Sequence, residues 1–442
     1  MTDRVSEAPD SDKTETERSL RERVPSEQRP AILWTFPKYG AVTAPERRCV
    51  IGRAENCGAR LEGTKISREH AEISPVSSAF GIRDLGSRNG VWVNGQRVEA
   101  TALMDGDVVR LGEWIGVVVP GLTESVQFGE IAPGLLGGPR LAARLAPARK
   151  LVEKNIPLVI HGATGTGKER VARALHGWSG RTGEYVGVNC AAIPTDLAEA
   201  ELFGHSKGAF TGAERARLGF FRQADRGTLL LDEFLELAPR TQAKLLRVLE
   251  ESEVQPIGDS RAYPIDVLLL AATQQPLAAV VDTGQMRNDL VARLGVYTLL
   301  LPRLAERRED IAPLFMHFIG PGREVDPELI EWLCLQPWTQ NVRELEWLAR
   351  AMMALHDEKP CLLIDHLPPQ YQQAQNPTAV TLPAPALPPV EDSELFQRLK
   401  SALDENGGVI LRAAEALGIT RQKAYRILDK QGFNLDGLRK RR

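Results

Sequence analysis

Short apolar runs separated by glycine and asparagine turns dominate the chain from Ala31 to about Pro120. The runs are rich in β-prone residues and closely spaced; they read AILWTF, FGIRDL, VWVNG, VVRLG and WIGVVV. Strand-length apolar segments at this spacing are typical of antiparallel sheets that pack face to face. We therefore predict an all-β sandwich within residues 30–125.

The pattern changes after this block. From about Leu135 to Leu367 apolar strands alternate with helical segments, which predicts an α/β domain with a parallel sheet in residues 135–368. Residues 369–392 are rich in Pro, Gln and Ala and are predicted to be a linker. Residues 393–442 have helical periodicity, and the polar residues 1–29 are predicted to be a disordered lead. The predicted fold class is multidomain: an all-β sandwich, an α/β domain with a helical lid and an all-α segment.

Composition narrows the function classes. The chain has 442 residues, 43% of them hydrophobic and 26% charged, which suits about three globular domains. Its longest apolar runs are shorter than the roughly 20 residues of a membrane-spanning helix, and its N-terminus lacks an apolar signal core, so we expect a cytoplasmic protein without a membrane partner. The five cysteines show no CxxC spacing, and a net charge of −3 excludes a uniformly basic coat.

The strongest chemical motif is LVIHGATGTGKE, an apolar strand followed by a glycine-rich turn and a helix. Glycines allow backbone N–H groups to point at phosphate oxygens, and Lys168 can reach the outer phosphates. This is a Walker A loop, although Glu169 stands where the strict pattern has Ser or Thr. The predicted nucleotide contacts in this loop are Gly162, Gly165, Thr166, Gly167, Lys168 and Glu169.

Polar side chains end the neighbouring apolar strands. GTLLLDEF ends in Asp232 and Glu233, which we expect to hold magnesium and to polarise the attacking water, respectively. DVLLLAAT is followed by Gln274, and YVGVNCA places Asn189 at the same sheet edge. These amides can sense the γ-phosphate and restrain Glu233.

The order of six motifs resembles the AAA+ domain of bacterial enhancer-binding proteins, the ATP-driven activators of sigma-54 RNA polymerase. The motifs are GATGTGKE, ELFGHSKGAFTGA, GTLLLDEF, MRNDLVARLGV, LPRLAERREDI and NVREL. The GAFTGA loop is close to diagnostic of that family. The resemblance implies ATP and Mg²⁺ as cofactors and a head-to-tail ring, with a hexamer expected.

The resemblance also assigns roles outside the nucleotide motifs. It implies that Arg287 and Arg293 act on a neighbouring subunit's ATP and that Arg343 senses nucleotide from the lid. The implied sigma-54 contacts are Gly208, Ala209, Phe210, Thr211, Gly212 and Ala213.

Two departures from the family pattern bear on hydrolysis. Gln274 stands where Asn is usual, and PWTQN replaces the usual Pro-Trp-Pro-Gly-Asn of the lid turn. Two alternatives therefore stay open beside an activator: a DNA-binding repressor with a weakened ATPase, and an AAA+ remodeller of another protein.

The sandwich sequence resembles a forkhead-associated (FHA) domain, which binds phosphothreonine peptides. The motifs are IGRAENC, ISREHAEI and LGSRNGVWVNG. They imply peptide contacts at Arg53, Ser67, Arg68 and Asn89, with His70 in a structural role. The phosphothreonine belongs to a partner protein or to the chain's own N-terminal segment, and a purely structural sandwich is the alternative.

The segment from Ser393 to the end combines eleven Lys and Arg with six Asp and Glu, a net charge of +5. Its sequence GGVILRAAEALGITRQKAYRILDKQGF has two helical stretches around a Gly turn and is similar to the Fis-type helix-turn-helix. Enhancer DNA is then a partner, and the implied contacts are Arg421, Gln422, Tyr425 and Arg426. Any small helical hairpin is the alternative.

Overall fold

The computed structural model describes residues 30–43, 48–76, 79–120, 127–210 and 213–372, together with Leu399, Ala402 and Leu403. The chain divides into two compact units, with the boundary between Pro368 and Pro369. The predicted lead, most of the linker and the four DNA contacts of the predicted helix-turn-helix lie outside the described residues. Within the described part, no helix is long and apolar enough to cross a membrane.

The N-terminal block is a sandwich of two sheets, which confirms the predicted fold. One sheet has the strand order β2-β1-β11-β10-β7-β8, and the other has the order β4-β3-β5-β6-β9. The strands β1 to β11 are, in chain order, Ala31–Phe36, Ala41–Thr43, Cys49–Gly52, Ala59–Arg60, Ala71–Val76, Ala79–Asp84, Val91–Val93, Gln96–Val98, Ala100–Leu103, Val108–Leu111 and Trp114–Val119.

Alternate side chains of these strands fill the space between the sheets, as the period of a β-strand requires. Trp34 and Trp114 meet edge to face with ring centroids 6.1 Å apart, and the Trp34 indole N–H donates to Thr43 Oγ1 at 2.9 Å. In β1 and β11 every residue is buried, including those that face away from this core. The outer face of the first sheet is therefore covered.

A five-stranded parallel sheet forms the centre of the next domain, in the order β15-β18-β21-β14-β22. Helices cover both faces, so its strands are apolar along their length, as the sequence predicts. The five strands are β14 (Leu158–His161), β15 (Tyr185–Asn189), β18 (Thr228–Asp232), β21 (Leu268–Thr273) and β22 (Thr298–Leu300). The helices are α1 (Pro139–Val152), α2 (Lys168–Ser179), α3 (Ala198–Phe203), α4 (Phe220–Gln223), α5 (Pro239–Glu251), α6 (Leu277–Asp282) and α7 (Asn288–Leu294).

Short two-stranded ribbons lie outside the central sheet of this domain. They join β12 (Gly129–Ala132) to β13 (Leu135–Gly137), β16 (Gly204–His205) to β17 (Arg217–Leu218), and β19 (Glu253–Val254) to β20 (Tyr263–Pro264). The chain between β16 and β17 contains the GAFTGA sequence. The described residues of that sequence therefore lie in the connection between the two strands of the β16–β17 ribbon.

The lid subdomain, residues 304–368, is mostly helical. Its elements are the 3₁₀ turns Leu304–Glu306 and Arg308–Asp310, helix α8 (Ile311–Ile319), β23 (Glu324–Val325), α9 (Pro327–Leu335), α10 (Asn341–Leu355), β24 (Cys361–Leu362) and the 3₁₀ turn Ile364–His366. Helix α11 (Pro369–Gln372) begins the second unit. Helices α8 and α9 pack against β1, β10 and β11, and so supply the cover on the outer face of the sandwich.

Candidate functional sites

The glycine-rich turn between β14 and α2 has the backbone shape that its sequence predicts. Gly165 and Gly167 have φ angles of 74° and 100°, in the left-handed region that other residues rarely adopt. A Cβ on Gly165 would also lie 2.0 Å from the carbonyl oxygen of Gln340. Glycine at 165 is therefore required twice, by the turn and by close contact with the lid subdomain.

Lys168 is the first residue of α2 and is buried beneath this turn. Its Nζ donates to the Gly162 carbonyl at 3.0 Å, so the amine lies inside the loop. Burial lowers the pKa of Lys168, while the nearby carboxylates of Glu233 and Asp232 act in the opposite direction. The positive charge thus lies inside the loop of residues 162–168. We call this loop the nucleotide cup, because its backbone groups surround the place where a phosphate chain would lie.

Asp232 and Glu233 end β18 at the same sheet edge. Burial, and then the neighbouring charge of Glu233, raise the pKa of Asp232 above its ordinary value. Glu233 has φ 52° and ψ 43°, a left-handed conformation that costs free energy for a residue with a side chain. The two carboxylates are therefore held together at a strained turn.

Hydrogen bonds fix the Glu233 side chain. Gln274 Nε2 donates to Glu233 Oε1 at 2.6 Å, and Thr164 Oγ1 donates to Gln274 Oε1 at 2.6 Å. The extra methylene of Gln274 extends its reach across the sheet edge. Asn189 instead accepts the Ala191 N–H at 2.9 Å, so of the two predicted amides it is Gln274 that contacts Glu233.

Two polar residues of the lid subdomain contact the Walker A loop and were not among the predicted site residues. Arg307 is buried; its Nη2 donates to the Thr166 carbonyl at 3.3 Å and its Nη1 pairs with Asp310 at 3.2 Å. Asn341 Nδ2 donates to the Thr164 carbonyl at 2.9 Å. Both lie in quoted motifs, LPRLAERREDI and NVREL, but their targets depend on tertiary packing.

Four predicted charged residues of this domain are exposed: Glu169, Arg287, Arg293 and Arg343. Arg343 follows Asn341 on α10, and its charge contributes to lowering the pKa of Lys168. Glu169 pairs with Arg173 on the same helix at 2.9 Å rather than entering the cup. Arg287 pairs with Asp289 at 2.7 Å, and Arg293 lies on α7; both arginines are exposed.

Backbone hydrogen bonds join the described residues of the GAFTGA sequence. The Gly208 N–H donates to the Ala213 carbonyl at 2.8 Å, and the Ala213 N–H donates to the Phe210 carbonyl at 3.0 Å. Phe210 is 37% exposed, with its ring 5.0 Å from that of His205. Thr211 and Gly212 lie outside the described residues. The apolar ring is thus presented on the surface at the end of the ribbon.

The predicted peptide contacts of the sandwich lie on three loops joined by hydrogen bonds. The Arg53 N–H donates to the Ser67 carbonyl at 3.0 Å, and Ser67 Oγ accepts the Arg88 N–H at 3.1 Å. Asn89 Nδ2 donates to the Lys65 carbonyl at 2.6 Å. Arg53 and the neighbouring guanidinium of Arg68 are exposed, so donors for an anion gather at one end of the sandwich.

His70 connects two of these loops from beneath. Its Nδ1 accepts the Ser67 N–H at 3.1 Å, and its Nε2 lies 3.0 Å from the Gly90 carbonyl. Burial lowers the pKa of His70, which favours a neutral ring with its hydrogen on Nε2. This geometry places His70 in a supporting position beneath the loops.

The fold and these two groups of residues define a protein with a P-loop AAA+ domain and an FHA sandwich. Family models match the described domains: the sigma-54 interaction domain over residues 137–300, the FHA domain over residues 49–112, and an AAA+ ATPase lid domain over residues 305–382.

Among similar proteins, regulatory protein AtoC of Escherichia coli K12 is 36% identical over 330 residues, which are 71% of this chain and 70% of AtoC. The phenol regulator MopR of Acinetobacter guillouiae is 40% identical over 291 residues, or 62% of this chain. The matched region is 51% of MopR, so the chain spans about half that relative's length. The chain belongs to the family of sigma-54-dependent transcription activators.

A solved structure supports the same assignment. NtrX from Brucella abortus in complex with ADP is 31% identical, with a TM-score of 0.50 over 67% of this chain and 70% of NtrX. The chain therefore has an AAA+ domain of the sigma-54 activator type, preceded by an FHA domain.

Proposed function

We propose that this protein binds enhancer DNA, assembles into an ATPase ring and uses ATP hydrolysis to remodel the closed sigma-54 RNA polymerase complex. The observation that carries the proposal is the placement of Phe210 on a surface ribbon of the domain that holds the nucleotide cup. An exposed apolar ring at the end of a glycine-flanked turn is suited to contact another protein. The other proposed contacts with sigma-54 are Gly208, Ala209, Thr211, Gly212 and Ala213.

The residues of the cup fit ATP and Mg²⁺. Gly165 and Gly167 give the turn its phosphate-binding shape, and Lys168 supplies a buried cation. Asp232 would hold the metal through a carboxylate oxygen. Burial and the charge of Glu233 disfavour the negative charge of Asp232, and a bound cation would offset both. ATP supplies the phosphoanhydride bond that is cleaved, and Mg²⁺ neutralises charge on its phosphates.

Within one subunit, Glu233 would accept the proton of the attacking water. Gln274 holds this carboxylate at 2.6 Å, and we propose that the contact keeps Glu233 in place until the γ-phosphate arrives. Asn189 lies at the same edge and would assist. Arg287 and Arg293 are exposed and would act on the ATP of the next subunit, which makes hydrolysis depend on a ring, proposed as a hexamer.

The FHA sandwich would regulate the activator by binding a phosphothreonine. Arg53 and Arg68 would bind a phosphothreonine dianion with the Ser67 hydroxyl, while Asn89 would contact the peptide backbone. The phosphothreonine would come from a partner protein or from the chain's own N-terminal segment. Arg421, Gln422, Tyr425 and Arg426 would contact the enhancer.

The test is transcription in vitro from a sigma-54 promoter, with enhancer DNA, the wild-type protein and ATP. Phe210→Ala should retain ATP hydrolysis within about twofold and lose promoter opening, because the ring lies on the ribbon and not in the cup. Glu233→Gln should bind ATP but hydrolyse it at least about a hundredfold more slowly, because an amide cannot take a proton from water.

Leu218→Ala is a matched control, since Leu218 is another exposed apolar residue of the same ribbon. It should open the promoter normally. Promoter opening by Phe210→Ala at the wild-type rate would contradict the proposed contact. A wild-type protein that binds DNA and ATP without hydrolysis would instead support the repressor alternative.

A further inference from the structure

The strands β1, β10 and β11 of one sheet of the FHA sandwich are buried on both faces. Their outward residues include Leu33, Val117 and Val119, each no more than 3% exposed. Helices α8 (Ile311–Ile319) and α9 (Pro327–Leu335) and the turn Arg308–Asp310 of the lid subdomain pack on this face. An apolar sheet face sealed by the lid subdomain is a docking surface within the chain.

A buried ion pair lies in this apolar surface. Arg110 Nε donates to Glu331 Oε2 at 2.6 Å, and the two side chains are 10% and 7% exposed. Glu331 Oε1 accepts the Gly95 N–H at 3.2 Å, and the Arg110 guanidinium lies 4.4 Å from the Trp92 ring centroid. Both carboxylate oxygens thus bind the sandwich, which fixes the orientation of α9 on it.

A second set of contacts lies at the edge of the surface. Arg308 Nη1 donates to the Gly106 carbonyl at 2.9 Å. Arg140 pairs with Asp105 of the sandwich at 2.7 Å and with Glu309 of the lid subdomain at 3.0 Å. Polar contacts at the edge of the apolar surface therefore add to the packing between the sandwich and the lid subdomain.

The lid subdomain continues directly from this surface to the Walker A loop. Trp338 is 2% exposed, and its indole N–H donates to the Leu333 carbonyl of α9 at 2.9 Å. Three residues later Asn341 holds the Thr164 carbonyl, and the Val342 N–H donates to the Gly165 carbonyl at 3.0 Å. One packed segment thus joins the docking surface to the nucleotide cup.

The peptide-binding end of the sandwich stays open in this docked arrangement. Arg53, Arg68 and Asn89 are exposed while Arg110 is buried. Docking and binding of a phosphopeptide are therefore compatible, and a phosphoprotein held at these loops would be attached to the lid subdomain.

We propose that the outer face of the FHA sheet holds the lid subdomain against the Walker A loop and so sets the affinity of the ATPase for nucleotide. A lid that is already ordered loses less conformational freedom when nucleotide binds, so docking should strengthen binding. The proposal rests on the proposed function in one respect. It links the FHA domain, which is proposed to bind a phosphopeptide, to nucleotide binding by the AAA+ domain.

The test uses charge reversal in the full-length protein. Arg110→Glu places two carboxylates together in a buried site and should release the sandwich. Deuterium uptake of α9 and β10 should rise, and affinity for ADP, measured by titration calorimetry, should fall about threefold to tenfold. The double variant Arg110→Glu/Glu331→Arg restores opposite charges and should recover most of both losses.

Arg60→Glu is the matched control, because Arg60 is an exposed arginine on the other sheet of the same sandwich. It should leave deuterium uptake of α9 and affinity for ADP unchanged. Arg308→Ala, which removes one edge contact, should weaken ADP binding about twofold and serves if the reversal variant does not fold.

The proposal is overturned if Arg110→Glu releases α9 without weakening ADP binding, or if uptake of α9 does not change. ADP binding is measured without hydrolysis or promoter opening. Loss of the activator function would therefore appear as an inactive wild-type protein, while the affinity comparison would still decide the docking proposal.

Discussion

The chain contains two candidate anion sites on loops at strand ends, and they differ in how their charged groups are held. In the Walker A loop, Lys168 is buried and hydrogen-bonded to the Gly162 carbonyl. In the FHA loops, Arg53 and Arg68 are exposed, while the backbone around Ser67 is tightly bonded. In the first site the cation is held in place by the loop, and in the second a hydrogen-bonded backbone carries solvent-exposed cations. Anion binding should therefore depend mainly on Lys168 in the Walker A loop. In the FHA loops it should depend on the combined charge of Arg53 and Arg68.

The largest expected effect is in the ATPase. Lys168→Ala removes the buried amine that lies inside the Walker A loop and should weaken ATP binding by at least about a hundredfold, since charge-assisted bonds to phosphate are strong. Calorimetry with ATP measures this loss. Lys150→Ala, an exposed lysine on α1, is the control and should bind normally. A loss below about fivefold for Lys168→Ala would remove the contrast between the two sites.

An intermediate effect is expected in the sandwich. Arg53→Ala should weaken a phosphothreonine peptide about tenfold to a hundredfold, because Arg68 and Ser67 remain. Affinity for the unphosphorylated peptide should not change, and fluorescence anisotropy in the full-length protein compares the two. Arg60→Ala is the control. Equal binding of both peptides by the wild-type protein would show that the sandwich is a structural module.

Salt should separate the sites further. Raising NaCl from about 0.1 M to 0.5 M should weaken phosphopeptide binding several-fold more than ADP binding, because screening acts on exposed charges more than on buried ones. The same titrations at two salt concentrations measure the ratio. Parallel losses would mean that the Walker A lysine is as accessible to solvent ions as the FHA arginines.

The smallest effect concerns the buried carboxylates of the lid turn Arg308–Asp310. Burial, and then the charge of Asp310, raise the pKa of Glu309 to about 7. A raised pKa means that the folded protein holds this proton more tightly than the unfolded chain, so stability falls as pH rises from about 4.5 through 7. Glu309→Gln should therefore gain stability relative to wild type over this range, on the order of 1 kcal/mol. Thermal unfolding at pH 5.5 and 7.5 measures it, and a constant difference would contradict the assignment.

Local motifs explain why much of this structure was predictable. The turn from Gly162 to Lys168 follows from adjacent glycines after a strand, and Asp232 follows from the strand that precedes it. The sequence predicts that Gln274 restrains Glu233, and the two side chains are in contact. The bond from Thr164 to Gln274 and the contact of Arg307 with the Thr166 carbonyl depend on distant segments, so spacing alone does not predict them. The roles of the individual site residues remain proposals.

The amino-acid sequence contains a pattern that indicates the docking surface, and the prediction of a β-sandwich did not use it. AILWTF and WIGVVV lack the polar alternation of a strand with one face in water, which indicates a second covered face. This apolar pattern does not identify which segment packs on the second face, because a continuous apolar strand can also lie in the middle of a core. Arg110 by itself resembles an ordinary surface arginine, and only its contact with Glu331 distinguishes it.

The left-handed backbone at Glu233 has a consequence for the evolution of the chain. Glycine would adopt φ 52° with little strain, so a carboxylate at this position is maintained at the expense of folding stability. With the role proposed for Glu233, drift towards a more stable fold and selection for hydrolysis would act in opposite directions at this residue. A lineage that abandoned the ATPase reaction would gain stability by changing Glu233 first, so glycine at this position would mark descendants that keep the fold without the motor.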